Sequence, residues 1–150
     1  MLAVYLIISA LIVGLDQWVK YLTVANLALG ESHEVVHGLF SFTYIQNTGA
    51  AWSILEGKMW FFFVITTVAV VVICYLLWKH LHDSRWFTIG LSLVLAGALG
   101  NFVDRMRLGY VVDMFRLDFI NFPIFNVADM SLVIGVICIF IYILKDEAKK

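Results

Sequence analysis

Residues 100–129, GNFVDRMRLGYVVDMFRLDFINFPIFNVAD, hold four aspartates and three arginines between apolar stretches on both sides. A charged side chain in hydrocarbon costs several kcal/mol, so a membrane-embedded chain keeps one only where it pairs, meets water or does chemistry. Asp113 and Asp129 stand apart from the rest. Each follows an apolar lead-in, Tyr110-Val111-Val112 and Ile124-Phe125-Asn126-Val127-Ala128, that delivers a lone carboxylate to a fixed depth. Two convergent carboxylates point to acid/base catalysis by an aspartate pair.

The flanks are apolar because the whole chain is. Of its 150 residues 63% are hydrophobic and 14% charged, against roughly 45–50% and 25% in soluble domains. This composition predicts an integral membrane protein of one domain, residues 1–150. A net charge of -1 argues against a nucleic-acid surface and against a strongly anionic-lipid anchor. Cys74 and Cys138 each lie inside an apolar run with no metal-ligand neighbour, and are expected to be small buried or lipid-facing side chains. One proline and no repetitive tract leave no linker, and no tail is expected beyond residues 146–150.

Four spans follow from length and hydropathy, about 2–24, 59–79, 86–104 and 126–145. The first contains Asp16 and Lys20, four apart and so on one helix face. The expectation is an ion pair, with Lys20 snorkelling toward the interface. A cleavable signal peptide is disfavoured there, since no basic n-region precedes the run and no small-residue cleavage site follows it. Residues 59–78 are 20 uncharged residues, flanked by Lys58, Trp60, Trp78 and Lys79 as interface anchors. The third span offers Gly90, Ala96, Gly97, Ala98 and Gly100 for close helix packing. At its polar end Arg105 is expected to pair with Asp104, and Asn101 to reach another helix. The last span should start near Phe125, placing Asp129 in its first turns.

The connections are expected to be β-rich and to lie outside the membrane, at about 25–58 and 105–125. Residues 39–46 alternate, with Phe40, Phe42 and Tyr44 on one side and Ser41, Thr43 and Ile45 on the other, which predicts an interfacial strand. Asn47-Thr48-Gly49-Ala50-Ala51 then turns the chain. His33 and His37 lack further ligands and fall in a solvated loop rather than a metal site. Residues 110–117 and 119–125 read as short extended pieces, with Pro123 confining the second to an edge. Lys79, Arg85, Lys145, Lys149 and Lys150 outnumber Lys58, Arg105, Arg107 and Arg116, a slight positive-inside bias toward cytoplasmic termini.

Five motifs in order, Asp16-Gln17-Trp18-Val19-Lys20, Asn47-Thr48-Gly49-Ala50-Ala51, Gly100-Asn101-Phe102-Val103-Asp104-Arg105, Val111-Val112-Asp113 and Phe125-Asn126-Val127-Ala128-Asp129, resemble the motif series of the bacterial lipoprotein signal peptidases, or signal peptidase II. The resemblance runs from about residue 2 to 145. It implies an intramembrane aspartic endopeptidase that cuts diacylglyceryl-modified prolipoproteins just before the lipidated cysteine, with Asp113 and Asp129 as catalytic dyad. It also implies substrate-binding or dyad-supporting roles for Asp16, Lys20, Asn47, Gly49, Asn101, Arg105 and Asn126, with no metal or organic cofactor. The implied setting is the bacterial inner membrane, multi-pass, with the active site near the outer face and both termini cytoplasmic. Lipid-modified signal peptides and membrane lipid are the expected partners, nucleic acid is not, and a monomer is compatible with everything above. For Asn126 two roles stay open, a helix cap or a donor that orients Asp129. A rival is a small proton-coupled transporter or ion-pathway subunit using Asp16, Asp104, Asp113 and Asp129 as a relay, and a second is a non-catalytic scaffold. A relay needs carboxylates at several depths, whereas Asp104, Asp113 and Asp129 gather near one face.

Overall fold

A computed structural model describes residues 1–49 and 57–147, in the order α1 (Leu2–Asn26), β1 (Ser32–Val36), β2 (Phe40–Asn47), α2 (Met59–Lys79), α3 (Arg85–Leu108), β3 (Val111–Leu117) and α4 (Val127–Glu147). All four helices are long and apolar enough to cross a membrane. The fold is a four-helix membrane protein with one small antiparallel sheet.

Helix α3 is the central post, packed against α1, α2 and α4. Its small residues explain why. A Cβ built on Gly97 would lie 2.4 Å from the Ala128 carbonyl oxygen and 2.5 Å from Leu132 Cγ, so only glycine lets α4 come this close. Apolar side chains are no drier against a neighbouring helix than against lipid, so contact of this kind and polar cross-links must hold the bundle. Ser9 Oγ donates to the Ser92 carbonyl at 2.8 Å, and Ser131 Oγ to the Leu93 carbonyl at 2.8 Å. On the other side Ile73 and Leu77 of α2 pack against Leu91 and Leu95. Gly97→Ala is expected to cost about 3 kcal/mol through overpacking. Its melting temperature in detergent should fall well below that of Gly14→Ala, where an added Cβ meets nothing within 4 Å.

Helix α3 runs past the expected end at residue 104. It stops at Gly109, whose left-handed φ of 80° lets its N–H close on the Arg105 carbonyl, and β3 starts two residues later. The sheet order is β1-β2-β3, all antiparallel. Strand β2 matches the expected one, but its side-chain alternation does not hold throughout. The register with β3 shifts between Phe42 and Ile45, and Thr43 and Tyr44 are buried in succession. Tyr44 therefore joins Val112 and Met114 inside, while the rings of Phe40, Phe42 and Phe115 meet at 5.3–6.0 Å.

Two local expectations need correction. The segment around His33 is a strand, not a loop: Gly38 at φ 66° lies in the turn of a hairpin in which His33, Glu34 and Val36 pair with Phe42, Ser41 and Phe40, with a register shift at Val35. Every residue of β1 is nonetheless exposed, with His33 held by Glu31 and His37 by Glu34. Conversely, residues 119–125 form no strand. Pro123 has no N–H to give, and only Phe125 bridges Phe115. Helix α4 begins at Val127, after that bridge and within a residue or two of the expected start.

Candidate active site

Asp113 sits near the start of β3, opposite Ile45 of β2. Its position is fixed one residue earlier, where the Val112 N–H donates to Asp104 Oδ2 at 3.0 Å and ties the strand to α3. The side chain is buried. Asn47 Nδ2 donates to its Oδ2 at 3.0 Å and Asn126 Nδ2 to its Oδ1 at 2.6 Å.

Asp129 is the third residue of α4, and a capping box holds it. Asn126 Oδ1 accepts the Asp129 N–H at 2.9 Å, and Asp129 Oδ2 accepts the Asn126 N–H at 3.1 Å. Asn101 Nδ2 donates to Asp129 Oδ1 at 2.8 Å. Each carboxylate oxygen of Asp113 and of Asp129 thus receives one N–H, which leaves lone pairs free for a shared proton or a water.

Burial pushes the Asp113 carboxyl up to about 7, and the charge of Asp129 adds to the rise. The Asn47 and Asn126 donors and the Lys20 charge work against it. Because the folded state holds this proton more tightly than the unfolded chain, the group stabilises the fold fully below the ordinary carboxylate range. That contribution is lost as pH rises through about 7.

A second layer lies behind the two carboxylates. Lys20 does not snorkel: it is 3% exposed and bridges Asp16 and Asp104, each at 2.9 Å, while donating to Asn101 Oδ1 at 3.0 Å. Three acceptors inside the bundle satisfy the ammonium better than one at the interface. Asp16 also accepts the Ala128 N–H at 2.8 Å, which anchors the start of α4 to α1. Gln17, quoted above only as part of its motif, belongs to this layer. Its Nε2 reaches Asp16 Oδ2, the Gly100 carbonyl and Asp104 Oδ1 at 3.2, 3.2 and 2.8 Å. An amide beside a carboxylate in a membrane span was the signal available. Asn101 makes the expected reach to another helix, and its partner is Asp129.

Arg105 does not pair with Asp104, which is already engaged by Lys20, Gln17 and Val112. Its Nη2 donates to the Gly49 carbonyl at 2.9 Å, and its guanidinium lies 4.4 Å from the Phe62 ring centre. Asn47 and Gly49 close their own turn, the Gly49 N–H donating to Asn47 Oδ1 at 2.9 Å. Ala50 and Ala51 of the same motif lie outside the described residues. Asp104→Asn is expected to lower the melting temperature while leaving measurable turnover. Asparagine can still accept the Val112 N–H, but its amide nitrogen must then face another donor, at about 1–3 kcal/mol.

Asn47, Asn101, Arg105, Asp113 and Asp129 converge on one cavity of about 500 Å³. Its other wall is apolar, from Phe122, Ile124, Met130, Val133 and others. Among the described residues no group of three His, Cys, Asp or Glu is placed to hold a metal ion. The four aspartates named for a relay form one connected cluster with Lys20, Gln17, Asn101 and Asn126, not a ladder through the bundle.

A family model described as signal peptidase (SPase) II matches residues 8–145. The chain belongs to the signal peptidase II family. It is 65% identical over 147 residues to a lipoprotein signal peptidase of Enterococcus faecalis, covering 98% of this chain and 91% of that one. A lipoprotein signal peptidase of Lactiplantibacillus plantarum is 54% identical over 145 residues, covering 97% of each chain. Among solved structures, a bacterial membrane enzyme determined by the in meso method at 2.3 Å superposes with a TM-score of 0.91 at 40% identity, covering 99% of this chain and 92% of that one. A second, at 1.9 Å, gives 0.86 at 41% identity, covering 96% and 94%. The signal peptidase II family resemblance of the motifs therefore extends to the whole chain. The protein is a multi-pass membrane aspartic peptidase, and neither the transporter nor the scaffold reading is favoured.

Proposed function

We infer that the chain removes the signal peptide of lipid-modified prolipoproteins, cutting just before the diacylglyceryl cysteine, with Asp113 and Asp129 as the catalytic pair. The observation that carries this is a pair of carboxylates with an N–H on every oxygen, facing a cavity that is apolar on its far side. Two such groups share one proton, because two like charges at short range do not both ionise cheaply. The ionised member takes a proton from water as the water attacks the scissile carbonyl, and the protonated member gives its proton to the carbonyl oxygen. Collapse of the tetrahedral intermediate returns that proton to the pair and sends the other to the leaving amine. The titration belongs to the pair rather than to either residue.

Met130, Val133 and Ile134 line the cavity and are also exposed on the outer surface of α4, so the cavity opens sideways toward lipid. A signal peptide can enter there as a helix, unwind at the cut to offer its carbonyl, and leave its acyl chains among the lipids. In this reading the ring cluster of Phe40, Phe42 and Phe115 holds the extended segment. In this reading both termini are cytoplasmic and the site lies near the outer face of the bacterial cytoplasmic membrane.

Two experiments test it. Purified in detergent, the chain should cleave a diacylglyceryl-modified prolipoprotein and spare the unmodified precursor; no cleavage of the modified form overturns the reading. For orientation, cysteines replace Ser32 in β1 and Ser84 at the start of α3 in a background without Cys74 and Cys138. An impermeant thiol reagent on intact cells should label position 32 and spare position 84, and the reverse pattern would invert the assigned topology.

A further inference from the structure

Lys20 has three ammonium hydrogens and three acceptors, Asp16 Oδ2, Asp104 Oδ2 and Asn101 Oδ1. An ammonium only donates. Asn101 must therefore turn its oxygen toward Lys20 and its NH2 group away, and that NH2 meets Asp129 Oδ1. The same Asn101 oxygen accepts from Asn126 Nδ2 at 3.0 Å. Asn126 is thereby held with its NH2 toward Asn101 and Asp113 and its oxygen toward the Asp129 N–H. If either amide were reversed, a carbonyl oxygen would face a carboxylate.

We propose that Lys20 is a positioning residue for the catalytic pair: through Asn101 and Asn126 it sets which way two amides point, so that Asp113 and Asp129 both receive N–H donors. The inference rests on the catalytic reading of those two aspartates. The competing role is plain charge neutralisation of Asp16 and Asp104. The two come apart because the net charge of the cluster can be kept without the lysine. One ammonium against two carboxylates gives a net -1, and Lys20→Met/Asp16→Asn gives the same net charge with only Asp104 ionised. Asp104 keeps its Gln17 and Val112 donors there, and an asparagine at position 16 can still accept the Ala128 N–H.

The charged groups around this path are Asp16 on α1, Asp104 and Arg105 on α3, Asp113 on β3 and Asp129 on α4. The Tyr110 hydroxyl, bonded to Tyr44, also faces Asp104. Lys20 alone among these contacts both the structural carboxylates and the amide that serves Asp129.

The test measures kcat, KM, pH profile and melting temperature on lipidated prolipoprotein. Lys20→Met should lower both melting temperature and kcat. Its pH profile should move to higher pH, since the Lys20 charge holds the Asp113 titration down. Adding Asp16→Asn should restore the melting temperature and most of the profile while kcat stays down about tenfold to a hundredfold, the scale of a small misplacement of reacting groups. Asn101→Ala should give a comparable loss, and in the Asp16→Asn background the Lys20→Met and Asn101→Ala losses should not multiply. Recovery of kcat together with the melting temperature, or losses that multiply, overturns the proposal. If the lysine variants do not fold, Asn101→Ala alone decides: Lys20 keeps both carboxylates there, and a normal melting temperature with undiminished kcat sinks it. A wild-type chain that fails to cleave, or an active Asp113→Asn, would instead defeat the catalytic reading beneath it.

Discussion

Asp113→Asn and Asp129→Asn should each reduce prolipoprotein cleavage by about a thousandfold or more, within the range that a positioned acid or base contributes, while the protein remains folded in the membrane. Asparagine fills the same space but neither takes a proton from water nor shares one with its neighbour. The Asp113 variant carries a second signature. In the wild type, the Asp113 contribution to stability is lost as pH rises from the carboxylate range through about 7, because the folded state holds its proton. Replacing that carboxyl removes the proton, so the melting temperature of Asp113→Asn should be flatter over the same window. Alkaline loss of wild-type turnover should fall in the same region, as both members of the pair ionise. Near wild-type turnover in either variant would remove that residue from the pair.

How far the chain could be read without coordinates depends on whether a feature is local. Helix α2 is legible because its 20 uncharged residues with aromatic and lysine flanks have no other stable placement. Asp113 and Asp129 are legible because lone carboxylates after apolar lead-ins need a reason to be there. The pairing of Asp104 with Arg105 fails for a geometric reason: successive helix residues point about 100° apart and do not face each other. Asp104 turns to Lys20 and Gln17 of α1, and Arg105 to Gly49 and Phe62. The snorkelling of Lys20 fails likewise, since two of the three acceptors that keep it inside, Asn101 and Asp104, come from a helix some 80 residues away. Strand β1 was hidden because a short exposed edge strand has no apolar face to announce it. Asn126 shows the same limit in one side chain. Its spacing from Asp129 offers a choice between a cap and an amide donor to the Asp129 carboxylate; the side chain does cap the Asp129 N–H, but its own N–H goes to Asp113, and only the Asn126 backbone N–H reaches the Asp129 carboxylate.

That double duty makes Asn126 the second large effect. As the residue before α4 it lies outside the helix, so its side chain is not stacked over Asp129. Its oxygen turns to the Asp129 N–H and its nitrogen to Asp113 Oδ1 at 2.6 Å. Asn126→Ser separates the roles, because serine caps about as well as asparagine, whereas losing a cap altogether costs about 1 kcal/mol. The melting temperature should therefore hold, while the donor to Asp113 is gone and turnover falls about a hundredfold. Asn126→Asp goes further. It keeps the cap but sets a carboxylate against Asp113 Oδ1 in a buried site, where like charges at this range cannot both persist. Both changes remove a donor that holds the Asp113 titration down, so both should move the pH profile of turnover to higher pH, Asn126→Asp more than Asn126→Ser. Asn47 donates to the other Asp113 oxygen, so Asn47→Ala should shift the profile the same way without touching the cap. If Asn126→Ser keeps wild-type turnover with a superimposable pH profile, Asn126 is a cap and nothing more, and the donor on Asp113 Oδ1 is not part of the catalytic arrangement.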